Sequence, residues 1–196
     1  MLKLGVLISG NGSNLQAIID AIAAGWLDAS IQVVISNKPD AYGLQRAQAA
    51  GIKAVSVKPS SFAATADPTH CYNDALRRIL QEYDVEWVVM AGYMKLLGAE
   101  VLDAFPDRVI NLHPALLPAF PGAHAIEEAF AAGVPVTGVT VHIANERFDD
   151  GPILAQAEVP VLPDDTLDTL EARIHETEHK LLPEVLSTLR SPARSR

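Results

Sequence analysis

The sequence predicts an α/β fold, a single domain with a mostly parallel sheet covered by helices on both faces. Short apolar runs alternate with stretches of helical periodicity. The early runs are apolar at nearly every position, as strands buried on both faces are. No repeat, linker or shift in composition divides the 196 residues, a length that supports one substantial core.

Lys3–Ser9 is the first strand and stops at Gly10-Asn-Gly-Ser-Asn14. Leu15, Ile18, Ile19 and Ile22 then recur at helical spacing, and Gly25 closes that helix. Ile31–Ser36 is the second strand, and Ala41–Ala50 a helix with Gly51 at its C-terminal cap. Ala54–Val57 is a third, shorter strand. Residues 59–68 read as loop, and Thr69–Tyr83 as a helix with Leu76, Ile79 and Leu80 inside. Val85–Ala91 and Val109–Leu112 are the fourth and fifth strands. An alanine-rich helix over 123–132 ends at Gly133. Val136–Ile143 and Ile153–Val161 bring the count to seven strands, and this last pair is expected to add an antiparallel edge. The final helix, 166–190, is expected to be interrupted at Pro183, which has no N–H to donate.

Composition narrows the function. Apolar residues make up 49% and charged residues 20%, which is globular and excludes long disorder. A net charge of −9 argues against a nucleic-acid surface. The single cysteine, Cys71, has no partner for an intrachain disulfide, which fits the reducing cytoplasm. No apolar run approaches the ~18–20 residues of a membrane helix, and the N-terminal run stops at Ser9 without a cleavage site.

In parallel sheets of this kind, ligands bind at the carboxyl ends of the strands. Three stretches fall there. Val109-Ile-Asn-Leu-His-Pro-Ala-Leu-Leu-Pro-Ala-Phe-Pro-Gly122 puts Asn111 and His113 two residues apart, so an extended chain points both to one face. Pro114 favours that conformation at His113. The pair is either a catalytic edge or a strand end with a capping Asn and a satisfied His. Gly10–Asn14 offers backbone N–H groups at a helix N-terminus, which suits a phosphate, with Ser13 and Asn14 as further donors. Its spacing matches neither the dinucleotide fingerprint nor the P-loop. Its alternative is a tight turn with Ser13 as helix cap. Tyr93–Leu97 follows the fourth strand and places Lys95 where an anion or carbonyl-rich ligand would lie.

Four further signals are weaker. Arg147-Phe-Asp-Asp-Gly-Pro152 is ordinary turn chemistry, yet Asp149 or Asp150 could approach His113. His175-Glu-Thr-Glu-His179 matches the zinc-protease pattern. At ~100° per residue, however, Glu176 points away from the apolar stripe of Leu167, Leu170, Ile174, Leu181 and Val185, and the histidines sit on its flank. Glu178 falls in the middle of that stripe, so it needs a partner, either a protein donor or a ligand hydroxyl. His142 faces away from Val139, Val141 and Ile143, and a polar second face or a structural hydrogen bond explains it; His124 could line the site.

Taken together and in order, these segments resemble the phosphoribosylglycinamide formyltransferases, folate-dependent enzymes of purine synthesis. The carrying stretches are Val6–Gln16, Ser36-Asn-Lys38, Ala91-Gly-Tyr-Met94, Asn111–Pro118, Phe120-Pro-Gly-Ala-His124, Thr140-Val-His142, Phe148–Pro152 and Glu178-His179. The Asn-x-His…Asp core alone is shared with other formyl-folate enzymes. The resemblance implies a Rossmann-like formyltransferase fold, with a catalytic domain over 1–190 and a tail over 191–196. It implies transfer of a formyl group from 10-formyltetrahydrofolate to the amine of phosphoribosylglycinamide, without a metal. Asn111, His113 and Asp149 would be the catalytic trio, Asn111 and His113 stabilising the oxyanion while Asp149 orients His113 and assists proton transfer. Gly12, Ser13 and Asn14 would hold the ribonucleotide phosphate and Glu178 its ribose. Met94, Lys95, Leu96, Leu97, Asn111, Asn145, Glu146, Arg147, Phe148 and Asp149 would bind the folate. The partners are small molecules only, neither nucleic acid nor membrane, and the protein is expected as a monomer or weak homodimer in the cytoplasm. A formyltetrahydrofolate hydrolase is the nearest alternative, and a zinc metalloprotease through His175 and His179 a distant one. Asp150 and Lys95 depart from the family pattern, which often has Gly or Ala and Arg there, and Thr69 lies where a basic residue is often found.

Overall fold

Seven strands form one sheet in the order β3-β2-β1-β4-β5-β6-β7 in the computed structural model, which describes residues 1–147 and 149–192. The strands are β1 (Leu2–Ile8), β2 (Ala29–Ser36), β3 (Ala54–Ser56), β4 (Trp87–Met90), β5 (Val109–His113), β6 (Val136–Ile143) and β7 (Ile153–Pro160). The first five pair in parallel, whereas β5–β6 and β6–β7 are antiparallel. The expected seven strands and antiparallel edge are both present. The last residues of the expected tail, 193–196, and Phe148 lie outside the described residues.

Strand alternation divides the core. Leu4, Val6, Ile8, Val34, Val89, Ile110 and Leu112 face one side and pack under α1 (Ser13–Ala23), α2 (Tyr42–Ala49) and α6 (Leu167–Thr188). Leu7, Val33, Ile35, Val88, Met90 and Val109 face the other side, under α3 (Pro68–Glu82) and the single turn α4 (Ala99–Leu102). α5 (Ala125–Ala132) ends at Gly133, whose φ of 62° gives the left-handed cap the sequence suggests.

Two expectations and one alternative need correction. The 59–68 segment contains a 3₁₀ turn, Pro59–Phe62, and α4 lies between the fourth and fifth strands, where no element was expected. α6 is not interrupted at Pro183: it runs unbroken from Leu167 to Thr188. Pro183 is buried, as are Leu182, Val185 and Leu186 beside it, and this packing outweighs one lost N–H···O bond of the helix. Ser13 does not cap α1. The cap position is Gly12, at φ 74°, which has no side chain to bond the first-turn N–H groups.

Candidate active site

Strand pairing assembles the centre. In the β5–β6 ladder Asn111 lies opposite His142, and His113 opposite Thr140. Opposed residues of an antiparallel pair share a face, so these four polar side chains form one patch while Ile110, Leu112, Val139, Val141 and Ile143 enter the core on the other. Asn111 Nδ2 lies 3.1 Å from His142 Nε2, and His142 Nδ1 lies 3.0 Å from the Ile143 carbonyl. A His142 ring protonated at Nδ1 satisfies both contacts. The Thr140 hydroxyl fixes the turn that follows β5. It donates to the Ala115 carbonyl at 2.6 Å and accepts the Leu117 N–H at 3.1 Å and Gln156 Nε2 at 2.9 Å.

Asp149 reaches this patch from the loop after β6. Its Oδ1 accepts Asn111 Nδ2 at 3.3 Å and lies 3.5 Å from His142 Nε2. Its Oδ2 accepts the Gly122 N–H at 2.9 Å and lies 3.3 Å from His113 Nδ1, and the His113 and Asp149 side chains are each 4% exposed. His113 Nε2 meets the Phe120 carbonyl at 2.7 Å. Both partners of the His113 ring can only accept, so a proton on each ring nitrogen satisfies both. Burial pushes the Asp149 carboxyl up. The nearby His142 ring, the Gly122 N–H and the charge of His113 outweigh that and hold it below the usual carboxylate range. Asp149 and Phe120 both adopt left-handed backbone, φ 51° each, a conformation that costs a residue with a side chain. Asp150, by contrast, is exposed and turned towards Arg147 at 3.4 Å, so it adds no second carboxylate to the centre.

A cleft of about 190 Å³ opens on this cluster. Of the residues expected to bind folate, Met94, Lys95, Leu96, Leu97, Asn111, Asn145, Arg147 and Asp149 line it. Glu146 is exposed and does not. Met94 is 70% exposed and Leu96 47%, an apolar rim of the kind that marks a ligand mouth. The 92–97 loop is anchored from beneath: Tyr93 and Tyr72 share a buried hydroxyl–hydroxyl hydrogen bond, and Asn73 Oδ1 accepts the Gly98 N–H at 2.8 Å. Lys95 Nζ stands 5.7 Å from the Tyr72 ring centroid.

The Gly10–Asn14 loop is braced by α2. Arg46 donates to the Asn11 carbonyl and side chain at 2.9 Å each and to Gln16 at 3.2 Å. A Cβ on Gly12 would lie 2.6 Å from Gly43 Cα, so the two backbones meet where only glycines fit. Glu178 is buried, as its place on the helical stripe predicts. Its Oε2 accepts Asn14 Nδ2 at 2.9 Å and meets His175 Nδ1 at 2.8 Å. Asn14 thus turns its amide towards Glu178, and its Oδ1 is buried with no hydrogen-bond partner among the described residues. The Glu178 bond, above all, raises the His175 pKa, against burial, which lowers it.

The zinc-protease pattern gains nothing from the structure. His175 is engaged by Glu178, its ring stacks on His179 at 6.4 Å, and Glu176 is exposed. Among the described residues no three His, Cys, Asp or Glu side chains gather as a metal site would require. His124 is exposed at the start of α5 and does not line the cleft. The residue that sequence reasoning undervalued is His142. The polar face of β6 was visible, but its position opposite Asn111 depends on a pairing that local pattern does not reveal.

The formyl transferase family matches residues 2–186. The phosphoribosylglycinamide formyltransferase of Bacillus subtilis (strain 168) is 42% identical over 189 residues, covering 96% of this chain and 95% of that protein. The trifunctional purine biosynthetic protein adenosine-3 of Drosophila melanogaster is 43% identical over 189 residues, covering 95% of this chain and 14% of that longer one. The crystal structure of glycinamide ribonucleotide transformylase 1 from Symbiobacterium toebii is similar with a TM-score of 0.91 and 45% identity, covering 95% of this chain and 86% of that one. The chain belongs to the formyl transferase family, among the phosphoribosylglycinamide formyltransferases.

Proposed function

We propose that this enzyme transfers the formyl group of 10-formyltetrahydrofolate to the amine of 5′-phosphoribosylglycinamide, and that Asn111, His113 and Asp149 carry the chemistry. The observation that carries the reading is the convergence of those three side chains, with His142, at the floor of a cleft rimmed by Met94 and Leu96. Residues 1–190 act as one catalytic unit, in the cytoplasm, on small molecules.

Attack of the amine on the formyl carbon builds negative charge on the formyl oxygen. Asn111 now gives its two N–H groups to His142 and Asp149, and the bond to Asp149 is the longer at 3.3 Å. A developing oxyanion takes over that N–H. His113 contributes a buried positive charge held in place by Asp149, while its Nε2–H rests on the Phe120 carbonyl. Giving that N–H to the oxyanion as well requires the 119–122 turn to yield. Asp149 stays ionised beside the incoming amine and helps move its proton towards the leaving folate nitrogen, directly or through water.

On the ribonucleotide side, Gly12, Ser13 and Asn14 hold the phosphate at the uncapped start of α1. Glu178, already oriented by Asn14 and His175, accepts from the ribose hydroxyls. On the folate side, the 92–97 loop, Asn145 and Arg147 surround the pterin. No step is assigned to a metal.

The test is a formyl-transfer assay that follows folate release with and without the ribonucleotide. Release that depends on the ribonucleotide, with formylglycinamide ribonucleotide as product, is expected. Release at the same rate without it identifies a formyltetrahydrofolate hydrolase instead.

A further inference from the structure

The two substrate loops meet at one buried residue. Ser9, 4% exposed, directly follows β1 and directly precedes the Gly10–Asn14 loop. Its backbone N–H donates to the Gly92 carbonyl at 3.1 Å, which prolongs the β1–β4 ladder beyond the 2.9 Å bond from Ala91 N–H to the Leu7 carbonyl. Gly92, at φ 73°, then turns the chain out of the ladder. From there the Ser9 side chain takes over as acceptor: its Oγ receives the Met94 N–H at 2.8 Å.

A buried serine with a satisfied hydroxyl is ordinary in itself. Its surroundings are not. Tyr93 and Leu97 bury the two ends of the 92–97 loop, but Met94 and Leu96 between them are exposed, so the tip depends on hydrogen bonds. On the other side of Ser9, the Gly10 carbonyl accepts the Gly43 N–H at 3.1 Å and Arg46 grips Asn11, so that loop is braced against α2. A stiff path therefore runs from the phosphate loop through Ser9 to the rim of the cleft.

We propose that Ser9 is a positioning residue coupling the two substrate subsites: phosphate uptake by Gly10–Asn14 steadies the 92–97 loop for the folate, and folate binding steadies the phosphate loop, through the bond between Ser9 Oγ and Met94 N–H. This rests on the subsites assigned under the proposed function. Linkage requires each substrate to tighten the other by the same factor.

The affinity of a 10-formyl folate analogue that cannot release its formyl group is measured by calorimetry, with and without saturating phosphoribosylglycinamide. In the wild type the ribonucleotide tightens the analogue about fivefold or more. In Ser9→Ala that factor falls towards one, while the ribonucleotide alone binds within about twofold of wild type, because its own contacts are intact. Ser9→Thr, which keeps the hydroxyl, restores the coupling; a purely structural role would lower the melting temperature and leave the coupling ratio alone. Ser9→Cys, of nearly the same volume but a weak acceptor, carries the same test where the alanine variant does not fold. Coupling equal to wild type in the alanine or cysteine variant, or its absence from the wild type, overturns the role of Ser9. Ribonucleotide-dependent transfer is assayed in the same wild-type samples: its absence overturns the functional reading itself, and its presence with unchanged coupling in the variants overturns Ser9 alone.

Discussion

Asp149 faces His113 at 3.3 Å through the same carboxylate oxygen that accepts the Gly122 N–H, so one atom fixes both the ring and the turn beside it. Replacing Asp149 with Asn keeps the volume and removes the charge. We expect turnover to fall by about 10²–10³, the scale seen when one donor of a preorganised site is lost. Ribonucleotide affinity should stay within about threefold. Steady-state kinetics beside calorimetric binding separate the two, and near-normal turnover would refute the assignment.

The same carboxylate makes stability depend on pH. Asp149 is held below the ordinary carboxylate range in the folded protein, so the unfolded chain takes up its proton first as the pH drops. Its contribution is therefore complete above the unfolded value of about 3.9 and is lost as pH falls through the lower folded value. Melting temperatures of wild type and Asp149→Asn should differ by a constant amount above about pH 5 and converge in more acid solution.

His175 shows the opposite sign. Its pKa is raised mainly by the Glu178 hydrogen bond, so charged His175 stabilises the protein fully below about pH 6.5 and less as pH rises through the folded value. In Glu178→Gln the His175 titration followed by NMR should move back towards the ordinary histidine value. The ribonucleotide KM should rise about tenfold in the same variant, from the loss of a charged acceptor for the ribose.

Gly12→Ala should be damaging twice over. The position has φ 74°, and left-handed backbone costs a residue with a Cβ about 1–2 kcal/mol. The added carbon would also meet Gly43 Cα at 2.6 Å. Strain alone should lower the melting temperature by about 2–8 °C, and displacement of the loop should weaken ribonucleotide binding.

Thr140→Val leaves the Leu117 N–H without its acceptor in a buried turn. A loss of about 1–3 kcal/mol is expected by urea unfolding. Thr140→Ser, which keeps the hydroxyl, should recover most of it.

Local periodicity made the sheet legible, because strands buried on both faces write unbroken apolar runs and helices write theirs at 3.6 residues. It also placed Glu178 on a buried stripe, where the structure finds it bonded to Asn14 and His175. Asn111 and His113 were readable as sharing one face, since their spacing decides that in any extended chain. What required three dimensions was pairing. Nothing near His142 announces that it will stand opposite Asn111, and nothing near Asp150 announces that it will turn towards Arg147 while its neighbour turns inward. Pro183 escaped for a related reason: a local rule against proline in helices was outweighed by burial.

Phe120 and Asp149 hold the histidine from two sides with backbone that aspartate tolerates and phenylalanine resists. Glycine or asparagine at position 120 would hold this left-handed backbone with less strain than phenylalanine. The strain at Phe120 therefore sits in the very turn whose carbonyl would have to leave His113 Nε2 for that N–H to reach the proposed oxyanion.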